Sequence, residues 1–382
     1  MGDGDGGGDR RGVIGLWQIV TVAFLVGLGV TAPAAMRPWM HAAGGVIVLA
    51  AIAPATVVLL IVLTAIVLTA TSSRGPVAVA LVVVIGSFLG YRIASALDVA
   101  VDGVVVVGAA FAVPRCIHVI VDVATGKLAQ PGAAAVIQYL WFWPTVVIGP
   151  IHRFDEHQRE QRRARWEPQL AARGLERVLT GLFAVLVVAN VVTSRWLAGA
   201  ITELPDQQAG LRAALESVEY GLTLYASFAG WSSVAIGLAA LLGYRVVENF
   251  RHPFAQPNIA AFWRGWHVSL TRFATEYVYR PVAAHFRTHV VAVFATMVVI
   301  ATWHELSGRY LAWAAYHATG LAVHRRFASW RGVDGTQKQR FFPKVVSTVT
   351  TFVFVMLGFT FTRSNDLGAA VDAFRLMLYR GW

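Results

Sequence analysis

The sequence predicts an all-α polytopic membrane protein with about ten transmembrane or re-entrant helices. Of its 382 residues, 57% are hydrophobic and 14% charged. Mean hydropathy is +0.59, whereas soluble globular domains carry about 25% charged residues. The apolar residues lie in continuous runs without alternation, which argues for helices and against a barrel. Cys116 is the only cysteine, so a disulfide scaffold is excluded along with a soluble enzyme and a fibrous repeat.

A helix crossing the hydrocarbon core needs about 20 mostly apolar residues. Runs at 13–36, 41–70, 75–91, 128–151, 178–194, 220–244, 288–303, 310–323 and 345–362 meet or approach that length without charge. A further run, 99–121, is apolar but holds Asp102 and Arg115. Pro54 interrupts 41–70, which predicts one kinked helix or two short ones. Residues 1–12 are Gly- and Asp-rich and are expected to be disordered. The remainder, 13–382, reads as a single membrane domain.

The formal net charge is +11. In a soluble chain that would raise nucleic-acid binding, but here the basic residues sit between apolar runs. Orientation in a lipid bilayer and contact with anionic headgroups account for them, and no nucleic-acid partner is expected. Arginines crowd three loops, 152–177, 245–287 and 325–344, while 201–219 is mainly acidic. Two apolar runs separate each basic loop from the next, so all three share one face. The positive-inside rule makes that face cytoplasmic. The same parity puts 304–309 deep in the membrane or near its outer face. The flanking runs, 288–303 and 310–323, give about 24 Å and 21 Å of helix at 1.5 Å per residue. Both are short of the ~30 Å core, so a re-entrant hairpin or two short spans is expected. Ionisable groups at such a place are functional candidates.

No P-loop, G-x-S-x-G elbow, H-E-x-x-H or Cys/His zinc spacing is present, so no metal is expected. The stretch IAAFWRGWHVSLTRFATEYVYR (259–280) puts Trp263, Trp266, His267, Leu270, Phe273, Ala274 and Tyr277 at helical spacing. It predicts an interfacial amphipathic helix with His267 on its aromatic face. That histidine is either a satisfied interior residue or a catalytic one. His304 follows Trp303 at the deep tip and precedes Glu305. A carboxylate beside an imidazole can fix its tautomer and make it a general base. The competing reading is a polar network sealing the tip, with a Glu305–Arg309 ion pair. His118 and Asp122, four residues apart, suggest a relay pair or a local hydrogen bond. His152 and His157 flank a charged loop and are expected to be solvated.

Four segments in order, GAAFAVPRCIHVIVDVATGK (108–127), YLWFWPTVVIGPIHRFDEH (139–157), the stretch from LYASFAGWSS to YVYRPV (224–282) and TWHELSGRYLAWAAYHATGL (302–321), resemble the membrane-bound O-acyltransferase (MBOAT) family. The resemblance is to its bacterial branch, which includes alginate O-acetyltransferases and the D-alanyl transfer proteins of teichoic acid. The most specific pieces are ENF-x-x-P-F with FWRGWH, and the later WH. The match runs from about residue 108 to the end, which makes 108–382 the core and 13–107 peripheral amino-terminal helices.

The resemblance implies a helical bundle around a central tunnel in a bacterial plasma membrane. His304 matches the histidine of the family's W-H-G motif, read as the catalytic base, and His267 matches a second, assisting position. Asn249, Pro253, Trp263, Arg264 and Trp266 match the surrounding motif, which shapes a donor channel, while Trp303 and Glu305 flank the base. No permanently bound cofactor is implied. An acyl-CoA or acyl carrier protein would donate from a thioester, and a hydroxyl of an envelope polysaccharide or small secondary metabolite would accept. Carrier or envelope-assembly proteins are the implied partners. Two departures stand out. W-H-G reads Trp303-His304-Glu305, and the branch's D-F-S-G-Y-S-D reads Ser227-Phe228-Ala229-Gly230-Trp231-Ser232-Ser233, without its acids. The alternatives are a catalytically silent relative and a transporter or flippase; no internal repeat of the kind transporters show is visible.

Overall fold

The computed structural model describes the backbone of residues 16–72, 75–97, 109–330 and 341–379, and the side chains of all of these but 16–19, 109 and 341–343. Residues 1–12, expected to be disordered, lie outside the described residues. Among the described residues every regular element is helical. The chain is an all-α polytopic membrane protein.

The amino-terminal helices are α1 (Leu16–Thr31), α2 (Arg37–Ile52), α3 (Pro54–Ala70) and α4 (Val77–Ala96). The run 41–70 therefore falls into two helices. Pro54 cannot donate into the preceding turn, and Ala53 breaks the helix with φ −157° and ψ 72°. Along α4, Val79 is 60% exposed and Val82 70%. In a polytopic membrane protein such an apolar flank suits contact with lipid. The second, third and fourth share a core with α5 (Ala109–Ala124) and α6 (Ala133–Leu140), centred on Leu60, Leu63, Val67, Val119 and Val136, while α1 packs on a separate cluster with Phe142 and Trp143.

The run 128–151 does not form a spanning helix. It holds the eight-residue α6 and one turn, Trp143–Val146. Pro131-Gly132, Pro144 and Gly149-Pro150 interrupt any longer helix. Arg115 of α5 draws the irregular part together: its Nη2 donates to the carbonyls of Thr145 (2.6 Å) and Pro150 (3.2 Å).

Next come α7 (Phe154–Arg163) and α8 (Pro168–Phe183), the latter prolonged by a π-helical stretch, Ala184–Leu197, and a turn, Ala198–Thr202. Its partner is α9 (Ala209–Leu241). The two touch backbone to backbone through glycines: a Cβ at Gly181 would lie 2.6 Å from the Gly230 carbonyl oxygen, and one at Gly237 2.6 Å from that of Gly174. Small residues at a crossing are how membrane helices approach closely.

The stretch 259–280 is not one interfacial helix. It breaks into α10 (Ile259–Gly265) and α11 (Val268–Ala274), then π-helical Thr275–Tyr279 and α12 (Arg280–Phe286). Its aromatic residues turn into the protein core, joining Met297, Ile300, Trp313 and Phe359. The segment thus dips inward, where a helix lying in the interface was the expectation. The remaining helices are α13 (His289–His304), α14 (Gly308–Trp330), α15 (Phe341–Arg363) and α16 (Leu367–Tyr379). The short run 310–323 is part of a 23-residue helix, α14, so only α13 is short. Among the described residues, four helical segments have the length and apolarity to cross a membrane: Val77–Ala96, Pro168–Thr202, Asp206–Leu241 and Lys344–Arg363.

Candidate active site

The site forms where the end of α13 meets the corner between α10 and α11. Asn258 starts α10 by accepting from the Ala261 N–H at 2.8 Å, an N-cap. The helix runs for two turns and stops at Trp266, which is extended. His267 then takes a left-handed conformation, φ 42° and ψ 55°, before α11 begins. For a non-glycine residue that conformation costs roughly 1–2 kcal/mol, so the surroundings must impose it. The segment around Asn249 does so. Arg251 N–H donates to Gly265 O and Val268 N–H to Asn249 O, both at 2.9 Å. A Cβ on Gly265 would meet the Arg251 carbonyl oxygen at 2.8 Å, so only glycine fits the crossing. The paired ENF and FWRGWH segments are thus two halves of one corner.

His267 is 1% exposed. Asn249 fixes its tautomer. The Asn249 amide donates to Ser232 Oγ at 3.0 Å, which turns Oδ1 toward the imidazole and toward Ser269 Oγ (2.9 Å). Oδ1 can only accept, so His267 Nδ1, 3.1 Å away, carries the proton. Nε2 is left buried with a lone pair and no partner among the described residues. Phe228 packs its edge on the ring at 4.7 Å between centroids.

His304 ends α13, and Glu305 leaves the helix in extended conformation. The imidazole is enclosed by Trp303 (4.6 Å), Tyr310 (5.9 Å) and Trp313 (6.2 Å) and remains half-buried. Trp303 also packs against His267 at 5.7 Å. Laid end to end, the two centroid distances cap the separation of the imidazoles at about 10 Å, roughly three to four hydrogen-bond lengths. Trp303 is held from both ends. Its indole donates to Ala110 O at 2.8 Å, and its carbonyl accepts from Arg92 Nη2 at 2.5 Å.

Glu305 does not hold His304. Its two oxygens accept from Arg309 Nε (2.9 Å) and Nη2 (2.5 Å), and Arg309 Nη1 donates to the Thr362 and Ser364 carbonyls. The Glu305–Arg309 ion pair expected from the sequence is present. Trp263 is buried against Trp313 (5.7 Å) and His317 (5.4 Å), and Trp266 stands behind His267 among Phe250, Phe262 and Tyr225. Arg264 is exposed.

Sequence reading missed Arg92, Phe111, Phe228 and Tyr310 as parts of this site. For Arg92 the signal was present, an arginine closing an apolar run, but nothing local says which helix end it reaches.

His118 and Asp122 pair as expected, Nδ1 to Oδ2 at 3.1 Å. The Phe154 N–H donates to His118 Nε2 at 2.9 Å, and Arg153 holds Asp122 at 2.6 Å. This is the local hydrogen-bonded reading: the pair staples α5 to the start of α7. His152 and His157 are not solvated. Each is 4% exposed, in an aromatic cluster with Tyr139, Phe142 and Tyr244, because the irregular 141–153 segment folds back over them.

Sequence comparison adds to this geometry. A probable alginate O-acetylase from Pseudomonas putida is 29% identical over 282 residues, 72% of this chain and 56% of that protein. A peptidoglycan O-acetyltransferase of Helicobacter pylori is 27% identical over 63% of this chain and 46% of its own. A teichoic acid D-alanyltransferase of Bacillus subtilis is 24% identical over 59% of this chain and 60% of its own. The chain spans about half the length of the curated relatives it matches. The model of the membrane-bound O-acyltransferase (MBOAT) family matches residues 110–365, which takes in both imidazoles, the Asn249 corner and the end of α13. The chain belongs to the membrane-bound O-acyltransferase family.

Proposed function

We propose that this protein moves an acyl group from a thioester, acyl-CoA or an acyl carrier protein, to a hydroxyl of an envelope polysaccharide or small-molecule acceptor. The observation that carries this is the pair of imidazoles flanking Trp303 in the interior of a membrane protein, His267 with an oriented lone pair that has no partner among the described residues and His304 enclosed by the rings of Trp303, Tyr310 and Trp313. The relatives named for alginate, peptidoglycan and teichoic acid support an envelope polymer as acceptor.

In the proposed reaction His304 takes the proton of the acceptor hydroxyl as its oxygen attacks the thioester carbonyl. The tetrahedral adduct collapses, the C–S bond breaks, and the imidazolium returns the proton to the departing thiolate. His267 Nε2, an acceptor in its fixed tautomer, takes a hydrogen bond from a second donor of the acceptor molecule and so orients it. General-base help is worth about 10²–10⁴ in rate, and alignment in a water-poor interior supplies much of the rest. Asn249, Trp263 and Trp266 shape the wall, and Trp303 spaces the two imidazoles. The basic loops, including Arg264, face the cytoplasm and meet the phosphates of coenzyme A or an acidic carrier surface. No step needs a metal.

The test is transfer of a labelled acyl group from acyl-CoA or acylated carrier to a hydroxyl acceptor by detergent-purified protein. Replacement H304A is expected to lower kcat 10²–10⁴-fold, and H267A by less. Equal turnover in wild type and H304A removes the base from residue 304. A second reading, His267 as the base, is favoured by the Asn249 bond that fixes its tautomer; a larger loss in H267A than in H304A would establish it. Transport of the acceptor without transfer would instead support a flippase, and inactivity on every donor a silent relative.

A further inference from the structure

Arg92 comes from α4, a helix that precedes the family-matched region, and reaches the end of α13. Its side chain lies over the rings of Phe88 (5.1 Å) and Tyr91 (5.7 Å). One of its five donors is used, by Nη2 on the Trp303 carbonyl. Its Nε is buried and has no partner among the described residues. The guanidinium is within electrostatic reach of both His304 and Glu305. Glu305 is instead in a bidentate pair with Arg309, and among the described residues it makes no hydrogen bond to Arg92. A cation is therefore held beside His304 without a carboxylate of its own. Such groups inside a membrane protein face a substrate path or a partner charge.

We propose that Arg92 recognises an anionic group of the acceptor, a carboxylate or phosphate close to the hydroxyl that is acylated. The proposal rests on the reading that His304 acts on that hydroxyl. With Nη2 donating to Trp303 O, the Nε–H and other N–H groups of the planar guanidinium are left for a carboxylate or phosphate, the groups that arginine binds through paired donors. Because the same guanidinium fixes the Trp303 backbone, an anion docked on it is placed at a set distance from the next residue, His304. Arg92 is then a specificity-determining residue contributed by a helix outside the matched family region. The competing role is a plain cap: Arg92 satisfies an orphan carbonyl at a helix C-terminus and favours its dipole. A cap holds Trp303 but does not distinguish charged from neutral acceptors.

Equilibrium binding separates the two. The detergent-purified full chain, as wild type, R92K and R92Q, is titrated with a uronate trisaccharide, its neutral methyl ester and a glycerol phosphate trimer. Wild type is expected to bind at least one anionic probe about 10- to 100-fold more tightly than the ester, the range of a charge-assisted pair. R92Q is expected to abolish that preference and R92K to keep part of it, which also covers the case in which R92Q fails to fold. The tighter of the two anionic probes tells carboxylate from phosphate. Equal binding of acid and ester by wild type, or a charge preference that survives in R92Q, overturns the proposal. Binding needs no turnover, so a wild type that discriminates charge but transfers nothing counts against the transferase reading and not against Arg92.

Discussion

His267 shows how one side chain is prepared by its neighbours. Its backbone is in a conformation it would not choose, its Nδ1 proton is assigned by an amide, and the amide is oriented by a serine. Each link is short-range chemistry between residues 17 to 18 positions apart in sequence. If the tautomer matters, N249L should lower kcat by about tenfold or more, since an orienting hydrogen bond is worth roughly 1–2 kcal/mol. It should leave the melting temperature closer to wild type than its kcat. The measurement is acyl transfer beside thermal unfolding of the same preparation. A fall in stability with unchanged kcat would make Asn249 a structural residue only. The departures from the family motif also gain meaning here. Glu305 is neutralised by Arg309, and of the segment 227–233 it is Phe228 and Ser232 that serve the imidazole, not the positions that lack acids.

At the level of elements, the frame of the site is set by how closely helices approach. The α8–α9 pair has glycines at facing positions seven residues apart on each helix. Replacing Gly181 or Gly230 by valine forces side-chain atoms into a carbonyl. Overpacking of this kind costs about 1–3 kcal/mol, and G181V and G230V should each lower the unfolding temperature of the purified protein. Gly86 on α4, where an added Cβ meets nothing within 4 Å, is the control: G86V should change little. Equal effects at all three positions would mean that close packing is not what those glycines provide. The same scale explains the failed span at 128–151. Its hydropathy is that of a membrane helix, but proline and glycine deny it the backbone bonds, and Arg115 collects two of the freed carbonyls.

Across the whole molecule, histidines are kept neutral well away from the candidate site. In the α7 region burial, with Arg115 nearby, pushes His157 down to about 3 and His152 well below the usual histidine range. Folding thus favours the neutral form while the unfolded chain titrates near 6.5. Stability is full above that pH and is lost as acidity rises from there toward 3, by up to about 1.4 kcal/mol per unit for each histidine. Unfolding temperature should therefore fall between pH 7 and pH 5, and H157F should flatten the fall. A wild-type temperature constant over that range would refute the assignment.

Composition and run length by themselves determined that this is an all-α membrane protein, because a bilayer penalises every unpaired backbone group and every exposed charge along a span. The order of motifs indicated which histidines and which asparagine to watch. What only the tertiary structure decided is their relation: that 259–280 breaks at His267 and turns inward, that Trp303 stands between two imidazoles, that Glu305 belongs to Arg309, and that Arg92 reaches the end of α13. Hydropathy is a property of one segment at a time. A corner, a shared ring and a borrowed cation arise between segments up to 211 residues apart, and no local pattern encodes which segments will meet.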